Sequence, residues 1–188
     1  MRAAFIPTLT LALVLLPSAS TRGDLYQEYR SMTAAERRLV LRYFWQVLDV
    51  RDAAEEARVR SERALPGMSG QDDPRDALRH ALWNGFMTRR LRSREAAERW
   101  GTAHESDPAN PAARRAMDLF NNEQGRERTW AAGTTRRTWL GTRTTLPDDA
   151  AIEGLLGDAL RTGGLVELEA VNGVRDPAAG RLIPTSVP

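Results

Sequence analysis

The segment Asp76–Leu91 reads DALRHALWNGFMTRRL. At 100° per residue, Asp76, His80 and Asn84 fall on one stripe, with Trp83, Met87 and Leu91 on the same side. Leu78, Leu82 and Phe86 cover much of the opposite side. A helix that is apolar nearly all round is a buried one. Its polar stripe is then buried as well, and buried polar groups require partners from elsewhere in the chain. Pro74 suits the first turn of this helix, which is expected to run over about 74–91.

Working outward, Thr33-Ala34-Ala35-Glu36 has the form of a capping box. Apolar residues at Leu39, Val40, Tyr43, Phe44, Val47 and Leu48 follow at helical spacing. The pattern is expected to continue to Leu65, where Pro66-Gly67 stops it. Ser93 caps a third helix reaching about Glu105. Asn110 and Pro111 start a fourth, which Gly125 is expected to close. Asp148 or Asp149 begins a last helix ending at Gly163-Gly164. No alternation strong enough for a sheet is present, and Leu165–Val171 reads as a short strand or an extended tail. The expected class is therefore all-α, a compact bundle of about five helices around the central helix. Its core would span about 33–164, with an extended tail over 165–188.

The N-terminus has its own pattern. Met1-Arg2 is followed by an apolar run from Ala3 to Leu16, then Pro17 and Ser18-Ala19-Ser20. Basic start, apolar middle and small residues before a cut near Ser20 are the order of a signal peptide. The run is short of the roughly 20 apolar residues that span a bilayer. Export to the periplasm or outside is expected, with a single mainly helical domain over 21–188 and no membrane span after cleavage. The chain has no cysteine, so its core is held without disulfides, and a lipid-modified cysteine at the cleavage site is excluded.

Formal net charge is +2, and all the cations are arginine, since the sequence contains no lysine. This near balance and the expected export both count against nucleic acid as a partner. One local bias stands out: residues 126–143 carry five arginines and one glutamate beside Trp130 and Trp139. It reads as a solvated connecting loop, the alternative being a patch for anionic surfaces.

Two other helices can meet the polar stripe. On the third, Ala97, Trp100, Gly101 and His104 share a face, which points His104 inward with Glu105 beside it. On the fourth, Asp118, Asn122 and Gly125 share a face with Asn121 adjacent. His80 and His104 are the two histidines of the chain, each near a carboxylate. Two histidines with one or two carboxylates suit a divalent metal such as zinc, and a His/Asp pair suits general base catalysis. In the metal form, His80, His104 and Asp118 are the ligands, with Glu105 or Asp76 as base or orienting group. In the metal-free form, His80 activates water and Asp118 or Asp76 orients the ring. Arg79, Asn84, Asn121 and Asn122 would line the site. Either form is read as a hydrolase acting on an envelope lipid, peptidoglycan or peptide. The alternative is a non-enzymatic exported protein in which the same residues are a packing network.

At these residues the sequence resembles a family of small bacterial helical domains with no assigned function. The motifs are DALRHALWN at 76–84, AHE at 103–105 and MDLFNNEQG at 117–125, with TAAERRLV upstream. The resemblance covers about Thr33 to Arg126 and implies a helical fold centred on these motifs. Relatives occur in secreted and toxin-like proteins, which implies a context and not an activity. The family often has histidine where this chain has Phe120, which centres any site here on His80, His104 and the acids.

Overall fold

A computed structural model describes residues 29–139 and 141–187; the expected leader lies outside them. The fold is mostly helical with a small β component. Helices α1 (Ala34–Arg42), α2 (Val47–Ala64), α3 (Pro74–Leu91), α4 (Arg94–His104) and α5 (Ala112–Ala131) come first. The hairpin β1 (Thr134–Thr138) and β2 (Gly141–Thr145) follows, then α6 (Asp149–Arg161). The C-terminal part carries β3 (Val166–Leu168), β4 (Ala170–Val171), β5 (Val174–Arg175) and β6 (Leu182–Pro184). Among the described residues no helix is long and apolar enough to cross a membrane.

The capping box forms: Thr33 Oγ1 accepts from Glu36 N at 3.0 Å, and Glu36 Oε2 accepts from Thr33 N at 2.7 Å. The Thr33 hydroxyl also donates to Ala103 O at 2.8 Å, which ties α1 to α4. The expected single helix to Leu65 is instead broken. Tyr43 leaves helical geometry (φ −129°, ψ 42°), a 3-10 turn spans Phe44–Gln46, and α2 starts at Val47. The break lets the two halves follow different neighbours. Gln46 at the turn accepts from the Trp100 indole of α4 at 2.9 Å. Beyond it, α2 lays Ala53, Ala57 and Ser61 against α3. Small side chains at i, i+4 and i+8 allow close helix approach.

The central helix is as expected. Asp73 caps it by accepting from Asp76 N at 3.0 Å, and Pro74 occupies the first turn. Its residues are buried almost without a gap from Ala77 to Thr88, because α2, α4, α5 and α6 surround it. Leu82 and Phe86 are fully buried and pack in one core with Trp100, Ile152, Leu156 and Leu160. Each such side chain contributes about 2 kcal/mol of burial.

Helix α5 runs past Gly125 to Ala131, so Gly125 is not a terminus. It is the place where α5 crosses α3, and a Cβ there would lie 2.1 Å from Ala81 O. The bare backbone is what permits the crossing.

The remaining differences concern strands. Residues 126–143 are not a connecting loop: they complete α5 and enter the β1–β2 hairpin, exposed on both faces. The C-terminal stretch is more than an extended tail, since β3 pairs antiparallel with β6 (Glu167 opposite Ile183) and β4 with β5. Asn121 on α5 helps place β3: its amide donates to Val166 O at 2.8 Å and accepts from Val166 N at 3.0 Å. Strands this short leave no periodic trace in a sequence.

Candidate functional site

Three helices meet at His80. The His80 ring lies on α3 one turn after Asp76, Asp118 projects from α5, and Glu105 caps the C-terminus of α4. His80 Nε2 is 3.4 Å from Asp76 Oδ1 and 3.4 Å from Asp118 Oδ1, while Nδ1 is 3.7 Å from Glu105 Oε1. All four residues are buried. One ligand atom each from Asp76, His80 and Asp118 lie within 4.8 Å of one another.

The surroundings hold these groups in place. Asp76 Oδ2 accepts from Asp72 N at 2.6 Å, at a loop residue with positive φ (60°). Asp72 is in turn clamped by Arg114 of α5 through two bonds of 2.8 and 2.6 Å. Arg79 pairs with Asp76 and comes within 3.4 Å of His80 Nε2. Asn110 donates to Glu105 Oε2 at 2.9 Å, which leaves Oε1 directed at the imidazole. Yet His80 Nδ1, Glu105 Oε1 and Asp118 Oδ1 are buried without a hydrogen-bond partner. A native structure rarely strands three such atoms together, since each costs about 1–3 kcal/mol.

The electrostatics follow from three acids around one base. Burial works against a charged His80, but the Asp118 charge and the Asp76 carboxylate outweigh it and push its pKa up to about 9. Burial raises Asp118, as do the Glu105 and Asp76 charges; despite His80 its pKa rises to about 7. Asp76 is held below its ordinary value in spite of burial, because His80, Arg79 and the Asp72 N–H stabilise its anion. The surrounding acids thus favour the protonated imidazole, which is a poor general base.

The structure brings together His80, Asp76, Asp118 and Glu105, with Arg79 alongside. It does not bring in His104. That side chain is half exposed, and its Nδ1 lies 2.9 Å from Glu36 Oε1 on α1. The two imidazole centroids are 6.5 Å apart. Of the expected set His80, His104 and Asp118, the structure brings together His80 and Asp118, with Asp76 and not His104 beside them. The physical reason is that α1 packs on α4 and offers His104 a carboxylate at the surface.

The asparagines also sit elsewhere. Asn84 donates to Asn122 Oδ1 at 2.6 Å and accepts from Arg126 at 3.2 Å. This chain joins α3 to α5 one turn below the His80–Asp118 contact. Asn121 is taken up by Val166. All three support the site without lining it. Asp72, Arg114 and Asn110 were not foreseen. Asp72 precedes a visible helix cap, but its role depends on a left-handed backbone that no neighbouring residue announces.

The Glu36–His104 pair has a testable consequence of its own. Burial raises the Glu36 pKa, but the His104 bond, the Thr33 N–H and the His104 charge together hold it below the usual carboxylate range. A depressed carboxylate pKa adds stability that is present above pH 4.5 and lost as pH falls through the folded value. Glu36→Gln should cost about 1 kcal/mol at pH 7, the scale of a helix cap, and should flatten the acid limb of stability against pH. Urea unfolding from pH 7 down to 3 tests this; an unchanged acid limb would contradict it.

The sequence model of one family, a domain of unknown function designated DUF6973, matches residues 37–144. That stretch is more than half of the chain and holds every residue of the His80 group. No curated protein matches, and neither does any solved structure. The chain is a member of the DUF6973 family.

Proposed function

We propose that this protein is an exported hydrolase that uses a divalent cation, such as zinc, held by Asp76, His80 and Asp118. The observation that carries the reading is the buried Asp/His/Asp group with unpaired polar atoms around it. Tetrahedral ligands at 2.0–2.1 Å from a metal lie about 3.3 Å apart, close to the 3.4 Å separations at His80 Nε2. With Nε2 so used, Nδ1–H would face Glu105 Oε1, which lies 3.7 Å away. That carboxylate–histidine arrangement orients a metal ligand and raises its basicity. The ion would supply an acidified water and polarise the scissile group. Arg79, whose side chain is 41% exposed, is placed to meet an anionic substrate group. The leader pattern supports an envelope or extracellular substrate: a phospholipid, peptidoglycan or a peptide.

A second reading is a non-enzymatic exported protein whose polar group specifies helix packing. The Asn84–Asn122–Arg126 chain and the low exposure of His80 (7%) favour it. Asp118→Asn separates the two. Asp118 Oδ1 accepts no hydrogen bond, so the amide fits without losing one, and urea unfolding measures the cost of removing its charge from beside His80. After chelator treatment, calorimetric titration with zinc or manganese should show one tight site in the wild type. The variant should bind at least about tenfold more weakly, and metal-dependent hydrolysis across lipid, peptidoglycan and peptide substrates should fall with it. A wild-type protein that binds neither ion sinks the proposal and leaves the packing reading.

A further inference from the structure

The β1–β2 hairpin takes no part in the site described above. It is a two-stranded ribbon in register from Thr134 opposite Thr145 to Thr138 opposite Gly141. A ribbon of five residues per strand is about 17 Å long. Nine of its ten strand residues are exposed, the exception being the half-buried Thr144. An antiparallel pair that stabilises a core has one face buried; this one has neither.

Its charge is of one sign. Arg136 and Arg143 stand directly opposite each other on one face, and Arg137, next on β1, points to the other face. Like charges opposed across a ladder are destabilising. No acid relieves them: residues 128–147 contain neither Asp nor Glu, and among the described residues no ion pair engages these three arginines. At the turn, Trp139 is 91% exposed, more than any other large hydrophobic residue described. Exposed indole and uncompensated guanidinium groups on one projecting element suit an external surface that is anionic and has an apolar layer beneath.

We infer that this hairpin docks the protein on an anionic phospholipid bilayer. Arg136, Arg137 and Arg143 engage lipid phosphates, for which the planar guanidinium is well shaped. Trp139 enters the interfacial layer, where tryptophan is favoured. A duplex polyanion would satisfy the arginines but leave the indole in water; a bilayer accommodates both. The inference does not depend on the metal site and stands if that reading fails.

The test uses protein recovered from a host expressing the full chain. It compares wild type, R136Q/R137Q/R143Q and Trp139→Ser, with circular dichroism to establish folding. Vesicles are of phosphatidylcholine alone or mixed with phosphatidylglycerol; the neutral vesicles measure any contribution from the N-terminal segment. The wild type should prefer the anionic vesicles, and this preference should weaken with salt. The triple variant should lose on the order of a hundredfold in anionic partition. Trp139→Ser should lose less and abolish part of the fluorescence quenching by brominated lipid. Equal partition of wild type and triple variant overturns the proposal, as does wild-type binding to duplex DNA with none to anionic vesicles.

Discussion

Replacing His80 by alanine is expected to destabilise the chelator-treated protein by about 3–5 kcal/mol at pH 7, the range for removing one partner of a buried ionic group. The imidazole stands between Asp76 and Asp118, with Glu105 across its other nitrogen. Without it, three buried acids face one another with no internal base, and the Arg79 guanidinium reaches only Asp76. Two comparisons give the experiment its force. The double variant His80→Ala/Asp118→Asn should be more stable than His80→Ala alone, because it removes one of the opposed acids. Added divalent cation should stabilise the wild type more than His80→Ala, which lacks one of the three proposed ligands. The wild type carries a matching signature. A His80 pKa raised from 6.5 to about 9 adds stability that is complete below pH 6.5 and lost as pH rises through about 9. His80→Ala lacks that alkaline loss. Urea unfolding across pH measures all of these; a cost under 1 kcal/mol at pH 7 would mean the acids are solvated and the group is not a buried charge cluster.

Gly125→Ala should cost about 3 kcal/mol, the upper part of the range for overpacking a core. The added Cβ would meet three Ala81 backbone atoms, the nearest at 2.1 Å, so no rotamer change relieves it. Helix α5 must move off α3, which also parts Asn122 from Asn84 and Asp118 from His80. The substitution should therefore weaken the proposed metal binding as well as folding. Gly154→Ala is the control of opposite sign. That helical position has nothing within 4 Å of an added Cβ, and alanine there should add up to about 1 kcal/mol. Thermal unfolding of both variants decides the matter; a Gly125→Ala protein within 1 kcal/mol of wild type would contradict the close crossing.

The central helix and the caps of three other helices were legible in the linear sequence because they rest on local chemistry. An all-round apolar helix announces burial. Thr33, Ser93 and Asp148 each accept from a backbone N–H three residues on, and so need no distant partner. The Asp76–His80 contact was legible for the same reason, since one helical turn places the two together. Asp118 and Glu105 were identifiable as inward acids, but only the packing of α4 and α5 on α3 aims them at one imidazole. His104 shows the limit. Helical periodicity put it on the apolar side of α4, yet α1 covers that side and supplies Glu36 at its rim, so the ring stays at the surface. Gly125 is ambiguous by itself: glycine serves equally at a helix end and at a close crossing, and only the approach of Ala81 selects the second. The hairpin was hidden because its threonines and arginines occupy both faces, which removes the alternation that marks a strand. Sequence thus determined what each helix does by itself. Tertiary structure decided which faces meet, because that depends on contacts between residues far apart in the chain.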